Sequence, residues 1–253
     1  MKALRIHAGP RARQHLQNHG LQPGDVGVIP AAAGGPKGLI LGPLDRFIFG
    51  HWLTHSIQPV HLVGASIGAW RMATACLQGT ASALERLERD YIAQHIALPS
   101  GQKRATAAQI SRQFRSNLQA FFGGRVGEVL RHPRYQLHVV ASRGHWLLAG
   151  DGPLRTPLGY LGAFVANAVH RKALGGWLER VVFSTPYADG TTRPDVQLPF
   201  ETADLRTRQA PLREDNFMDA LQASCSIPFM LQPVQGIAGA PSGPYWDGGI
   251  TDY

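Results

Sequence analysis

The stretch VHLVGASIGAWRMA, Val60 to Ala73, decides the fold. An apolar run, Val60 to Val63, meets Gly64-Ala65-Ser66-Ile67-Gly68 and then a helix-forming run. The pattern predicts a strand, a tight turn and a helix. Glycines two residues to either side of Ser66 match the G-x-S-x-G nucleophile elbow, where a strained backbone lifts the serine hydroxyl above a sheet. Side chains at the flanking positions would collide in that turn, and glycine has none. The N–H groups of Ser66 and Ile67 would then lie near a helix N-terminus, which favours developing negative charge. A chance G-x-S-x-G in a loop is the plain alternative; the strand before it and the helix after it favour the elbow.

The same alternation of strands and helices runs outward from this stretch. GDVGVIP (Gly24 to Pro30) reads as a buried strand and AAAGGPKGL as a glycine loop, followed by helical apolar spacing over Leu39 to Leu53. The helix after Ser66 closes near Gly79. SALERLERDYIAQHI is a second amphipathic helix, and YQLHVVASRG (Tyr135 to Gly144) and ERVVFSTP (Glu179 to Pro186) are later strands. DNFMDALQAS is a helix that starts near Asp215 or Asn216 and breaks at Cys225-Ser226-Ile227-Pro228; GPYWDGGITDY is a strand ending in a glycine turn. The expectation is an α/β fold, a three-layer sandwich with a mainly parallel central sheet and helices on both faces. Sites in such sheets gather at the carboxyl ends of strands, where both glycine loops fall.

A nucleophilic serine needs a base and an oxyanion hole. All eleven histidines lie at or before His170, so the Ser, Asp/Glu, His order of an α/β-hydrolase would have to use His95, His132, His138, His145 or His170. None sits in an obvious catalytic turn. The last third carries Asp247-Gly248-Gly249 behind Tyr245-Trp246. An aspartate in an apolar setting becomes basic enough to take the serine proton; an ordinary Asp-Gly-Gly turn is the other reading. In AAAGGPKG, Gly34 and Gly35 can present N–H groups to an oxyanion beside a helix that starts near Pro36. No G-K-[ST] follows, so the loop is not a phosphate-binding P-loop. Lys37 is either a solvated first-turn lysine or an anion contact.

The glycine loop, G-x-S-x-G and D-G-G, in that order, resemble the patatin-like phospholipase family. Gly34-Gly35-Pro36-Lys37-Gly38 match its G-G-x-[R/K]-G loop, Gly64-Ala65-Ser66-Ile67-Gly68 its serine motif, and Asp247-Gly248-Gly249 its D-G-[G/A] motif. DALQASCSIPFMLQPV, Asp219 to Val234, resembles the family's helix and Ile-Pro segment ahead of the aspartate. Each motif alone is weak; four in order over most of the chain are specific. The resemblance implies a Ser-Asp dyad acting on acyl esters of lipids without metal or cofactor. Ser66 would be nucleophile and Asp247 base. Gly34 and Gly35 would supply the oxyanion N–H groups, joined by Ile67, with Lys37, Gly38, Gly64, Gly68, Gly248 and Gly249 supporting the motifs. The family often has a third glycine where this chain has Ala33. The chain ends six residues past Asp247, so the expectation is a single domain over 1–253 without the family's C-terminal elements.

Composition bounds the partners. The 253 residues are 44% hydrophobic, enough for a sizeable core. The net charge of +8 suits an anionic membrane or a solvated basic surface. No finger, RNP-like run or dense basic stripe is present, which argues against nucleic acid. Cys76 and Cys225 form no disulfide framework and point to a reducing compartment. No apolar signal region and no run of about 20 apolar residues occurs, so the expectation is a cytoplasmic protein with peripheral membrane contact. Oligomeric state is not legible. The i,i+4 pairs His15/His19 and His51/His55 lack a third ligand and read as ordinary histidines. Residues 99–130, with Ile110, Phe114, Leu118 and Phe121 on one helical face, read as a core-facing helix or as a lid that meets lipid. A thioesterase or transacylase for soluble substrates, and a lipid-binding protein without catalysis, are the rival functions.

Overall fold

Apolar and β-branched residues that are buried on both faces need a sheet interior. β1 (Val28–Ala31), β2 (Val60–Ala65), β3 (Tyr135–Gly144), β4 (Leu178–Ser184) and β5 (Thr207–Pro211) form such a sheet in that spatial order, and β6 (Tyr245–Asp247) pairs with β3. This computed structural model describes residues 5–96, 101–145, 148, 158–159, 162, 170–186 and 198–252. β1/β2, β2/β3 and β4/β5 are parallel, whereas β3/β4 and β3/β6 are antiparallel, so the sheet is mainly parallel as expected.

The helices are α1 (Pro10–His19), α2 (Gly42–Phe47), α3 (Ile67–Ala75), α4 (Thr80–Ile92), α5 (Ala107–Phe122), α6 (Val126–Leu130), α7 (Arg171–Leu174) and α8 (Phe217–Ser224). The main core joins Leu62, Leu137, Val139, Val181 and Phe183 of the sheet to Trp70 of α3, Leu84 and Leu87 of α4, Leu118, Phe121 and Phe122 of α5, and Phe217 of α8. Strand alternation sends Ala65, Val140 and Val182 to the opposite face, where they pack with Leu198, Val63, Phe200 and Ala33. No helix among the described residues is long and apolar enough to cross a membrane.

Two expectations need revision. The run Leu39 to Leu53 is not one helix: a 3-10 segment (Gly35–Leu41) leads into α2, a π-turn (Ile48–Trp52) and a further 3-10 turn (Leu53–His55). Gly42-Pro43 explains the restart, because proline lacks the N–H that a continuous helix would use there. β5 was not foreseen; of its five residues only Ala210 is buried. The apolar run Leu158 to Leu178 also reads in the sequence as a buried helix; it lies partly outside the described residues, and its described end forms the short α7 and reaches β4 at Leu178.

Candidate active site

Ser66 stands between β2 and α3 with φ 55° and ψ −128°. A non-glycine residue at positive φ is uncommon, and such strain costs about 1–3 kcal/mol. The flanking glycines are required by contact. A Cβ on Gly64 would lie 2.5 Å from the Ala69 backbone nitrogen, and one on Gly68 would lie 2.0 Å from the Ala31 carbonyl oxygen. Both obstacles are backbone, so neither can swing away. The Ser66 carbonyl accepts from the N–H groups of Ala69 (3.0 Å) and Trp70 (3.3 Å), which starts the helix.

The register of β3 brings Asp247 to this turn. Residues 138–140 of β3 pair with β2 on one edge and β4 on the other; residues 141–143 pair with β4 and with β6. β6 therefore takes over the edge that β2 leaves. Ala65 is opposite Val140 and Asp247 is opposite Ala141, so the end of β2 and the end of β6 meet tip to tip. Ser66 and Asp247 are both buried, at 4% and 6% exposure. Oδ1 of Asp247 accepts from the Gly249 N–H at 2.7 Å. Oδ2 is buried and has no hydrogen-bond partner among the described residues. Burial is the strongest influence on this carboxyl and pushes its pKa up from 3.8; the nearby Ser66 hydroxyl and the Gly249 N–H pull the other way. No hydrogen bond of standard geometry joins the Ser66 hydroxyl to Oδ2, yet the two groups are close enough to influence each other.

The segment after α8 knits the two residues together. Ser224 Oγ accepts the Ser66 N–H at 2.9 Å and donates to the Val140 carbonyl at 2.6 Å. The Ser226 carbonyl accepts the Asp247 N–H at 3.0 Å. Cys225, between them, is buried, and burial pushes its thiol well above its usual range; Asp247 adds to that rise and the Ser66 hydroxyl opposes it. Ser142 Oγ donates to the Asp247 carbonyl at 2.9 Å. Sequence reading did not assign Ser224 or Ser226 a role, since a serine at a helix end is ordinary.

The glycine loop closes the third side. Gly38 rests on Ile67, where an added Cβ would come within 2.8 Å of Ile67 Cγ2. A Cβ on Gly249 would come within 2.5 Å of Ala33 Cβ, so the loop also touches the Asp-Gly-Gly turn. Gly35 has φ 53°, in the left-handed region that glycine adopts freely. The Gly34 and Gly35 N–H groups donate to no acceptor among the described residues. Ile67 opens α3, so its N–H lacks an intrahelical acceptor. Lys37 is exposed and forms no ion pair among the described residues. Behind the loop, Asp45 of α2 takes two bonds from Arg71 of α3, at 2.6 and 2.7 Å, and both side chains are buried. A single arginine inside the apolar run WRMATAC was the available signal for that pair.

None of His95, His132, His138, His145 or His170 hydrogen-bonds Ser66. His138 is tied to His61 (2.9 Å) and Ser184 (2.8 Å), His132 accepts from the N–H groups of Arg134 and Tyr135, His145 lies 3.4 Å from Glu179, and His170 accepts from the Lys172 N–H. On the opposite face of the sheet from the main core, a cavity of about 790 Å³ runs along β1 and β2; its lining reaches Gly64 and Ala65, next to Ser66 in the chain, but includes neither Ser66 nor Asp247. Val28, Pro30, Val63, Ala65, Val140 and Phe200 give it apolar walls, with Arg180, Asp204 and Asp252 among its polar lining.

Residues 33–252 match the model of the family described as patatin-like phospholipase. No curated protein and no solved structure matches the chain.

Proposed function

The chain belongs to the patatin-like phospholipase family, and from this premise we propose that it hydrolyses carboxylic esters of phospholipids or related lipids through an acyl-enzyme on Ser66. One observation carries the reading above the others: a buried carboxylate oxygen, Oδ2 of Asp247, stands without a partner beside a serine held in a strained turn. An unpartnered buried acceptor is costly to folding and suits a group kept ready for a proton.

In the proposed reaction Ser66 Oγ attacks the ester carbonyl as its proton passes to Asp247 Oδ2. The carbonyl oxygen becomes an oxyanion, received by the N–H groups of Gly34 and Gly35 with Ile67 as a further donor. The tetrahedral intermediate collapses, the carbon–oxygen bond to the leaving alcohol breaks, and Asp247 returns the proton to that alcohol. Water then attacks the acyl-Ser66 ester. Asp247 takes the proton from water and Ser66 recovers its own, releasing the fatty acid. The dyad needs no metal or cofactor. The apolar cavity along β1 and β2 supports an acyl chain as the bound portion; its volume falls within the usual range of ligand sites, roughly 300–1,000 Å³.

Fluorophosphonate labelling combined with turnover of p-nitrophenyl esters and phospholipid vesicles tests the proposal. Label on Ser66 in the wild type and none in Ser66→Ala is the expected result. Wild-type labelling and turnover in Asp247→Asn would remove the base assignment. Turnover of soluble thioesters with none on lipid esters would move the substrate class. Absence of both label and turnover would leave a lipid-binding protein.

A further inference from the structure

α3 runs away from Ser66, the chain turns at Gly79, and α4 brings it back. Trp70 stands one helical turn beyond Ser66, and its N–H donates to the Ser66 carbonyl at 3.3 Å. Tyr91, near the end of α4, returns beside it, the two rings edge to face with centroids 5.9 Å apart. Phe114 and Phe121 of α5 meet the same indole at 5.2 and 6.1 Å. A pocket of about 390 Å³ lies between α4 and α5, with Trp70, Tyr91 and Phe121 among its walls. That volume is within the usual range of ligand sites, roughly 300–1,000 Å³. The pocket borders the main core, so it is on the other face of the sheet from the cavity along β1 and β2.

Tyr91 is half-buried, and its hydroxyl makes no hydrogen bond among the described residues. A tyrosine hydroxyl usually finds a partner when its ring is packed. Burial is the strongest influence on this phenol and raises its pKa; the charges at Cys225 and Asp247 add to the rise. The hydroxyl therefore lies within electrostatic reach of the carboxyl that, in the proposed reaction, returns a proton to the leaving alcohol. The rest of the described lining is polar, and its charges cancel. Arg86 is held by Asp90 at 3.1 Å and by the Ala120 carbonyl at 3.0 Å, and its guanidinium lies 4.8 Å over the Phe121 ring. Gln113 donates to Asn117 Oδ1 at 2.9 Å, which leaves the Gln113 side-chain carbonyl and the Asn117 amide N–H groups for a ligand.

We propose that the pocket between α4 and α5 binds the alcohol portion of the ester, that it is built for an uncharged, hydroxyl-bearing alcohol such as glycerol, and that the Tyr91 hydroxyl donates to one of its oxygens. Glyceryl hydroxyls donate and accept, which matches Tyr91 together with Gln113 and Asn117. A phosphate-bearing headgroup would find no unspent arginine or lysine in the described lining and would face Asp90. The cavity on the other face of the sheet is left for the acyl chain. The assignment rests on the acyl-hydrolase reading of the adjoining site and narrows its substrates to neutral glycerol esters.

Turnover of 1-monobutyrin, propyl butyrate and dibutyrylphosphatidylcholine by the full chain tests this. The first two share an acyl group and differ in the hydroxyls of the alcohol. Wild-type kcat/KM is expected to be higher on monobutyrin than on either of the others. Tyr91→Phe removes only the hydroxyl, and should lower the ratio of kcat/KM on monobutyrin to that on propyl butyrate about tenfold. Asn117→Leu should lower the same ratio from the α5 side. Each ratio is taken within one variant, so a general loss of activity cancels. Equal wild-type values on monobutyrin and propyl butyrate, or a wild-type ratio in Tyr91→Phe, overturns the proposal. So does faster turnover of the phosphatidylcholine than of monobutyrin, since the pocket then takes a charged headgroup. Absence of turnover on every ester in the wild type strikes the acyl-hydrolase reading, and calorimetric titration with 1-monobutyrin judges the pocket separately. Ser66→Ala should bind it about tenfold more tightly than Ser66→Ala/Tyr91→Phe; equal affinities, or no binding, overturn the pocket assignment.

Discussion

Asp247 is a carboxyl group that folding keeps from water and that the proposed reaction needs charged. Its pKa in the folded protein is raised, chiefly by burial, above the ordinary value near 3.9 of an unfolded aspartate. The folded state therefore binds its proton more tightly than the unfolded state, and stability from this group declines as pH climbs from about 3.9 through the raised value. Asp247→Asn should melt at a higher temperature than wild type at neutral pH, with the gap closing below about pH 4, while turnover drops on the order of 10⁴-fold. Melting curves and kcat/KM across pH check both halves. In the wild type the acid limb of kcat/KM should fall at a higher pH than an ordinary carboxylate would set. Single residues were also where the sequence was most readable. Ser66, Asp247 and the glycines around them announce themselves because tight turns admit so few residue types. Ser224 and Ser226 gave no such signal, because their work is to hold backbone groups that only the folded chain brings near.

Between elements, close contacts decide the placement of the site. Ser224 links α8, the Ser66 turn and β3 through its two hydrogen bonds. Ser224→Ala leaves the Ser66 N–H and the Val140 carbonyl without that partner in a buried setting, and should cost about 1–3 kcal/mol with a further loss in turnover. Urea unfolding and ester hydrolysis on the same sample measure the two effects. Asp45 and Arg71 clamp α2, just behind the glycine loop, to α3, just behind Ser66. Arg71→Met strands a buried carboxylate and should destabilise by roughly 3–5 kcal/mol; the double replacement Asp45→Leu/Arg71→Met should recover much of that, a comparison that chemical denaturation can make. Elements with long buried runs, β2, β3 and β4, were legible for the same reason that they are central. β5 was not, since one buried residue in five leaves no alternation to read. The proline at position 43 was visible, yet the apolar spacing around it outweighed it.

Across the molecule, acid should act through buried histidines. His138 and His61 are hydrogen-bonded between β2 and β3, and burial pushes His138 down to about 3 and lowers His61; His132 is pushed down to about 4 in the same way. The folded pKa values lie below the unfolded value near 6.5, so these groups contribute fully above pH 6.5 and their contribution is lost as pH falls toward 3. Urea unfolding at pH 7.5 and pH 5 should show lower stability at pH 5, with a smaller difference in His138→Gln. The mainly parallel architecture could be read from alternating strands and helices. The reversal of β4, β5 and β6 could not, because strand direction depends on connections whose path the local pattern does not encode.

β3 backs two strands end to end, and that arrangement has a consequence for how such a chain can diverge. The spacing of hydroxyl and carboxylate is measured along a single ten-residue rail, not along the polypeptide that separates them. Insertions or deletions in the intervening loops leave that spacing alone. Deleting one residue of β3 at Val140 or Ala141 would shift β6 by a pleat and turn Asp247 to the wrong face.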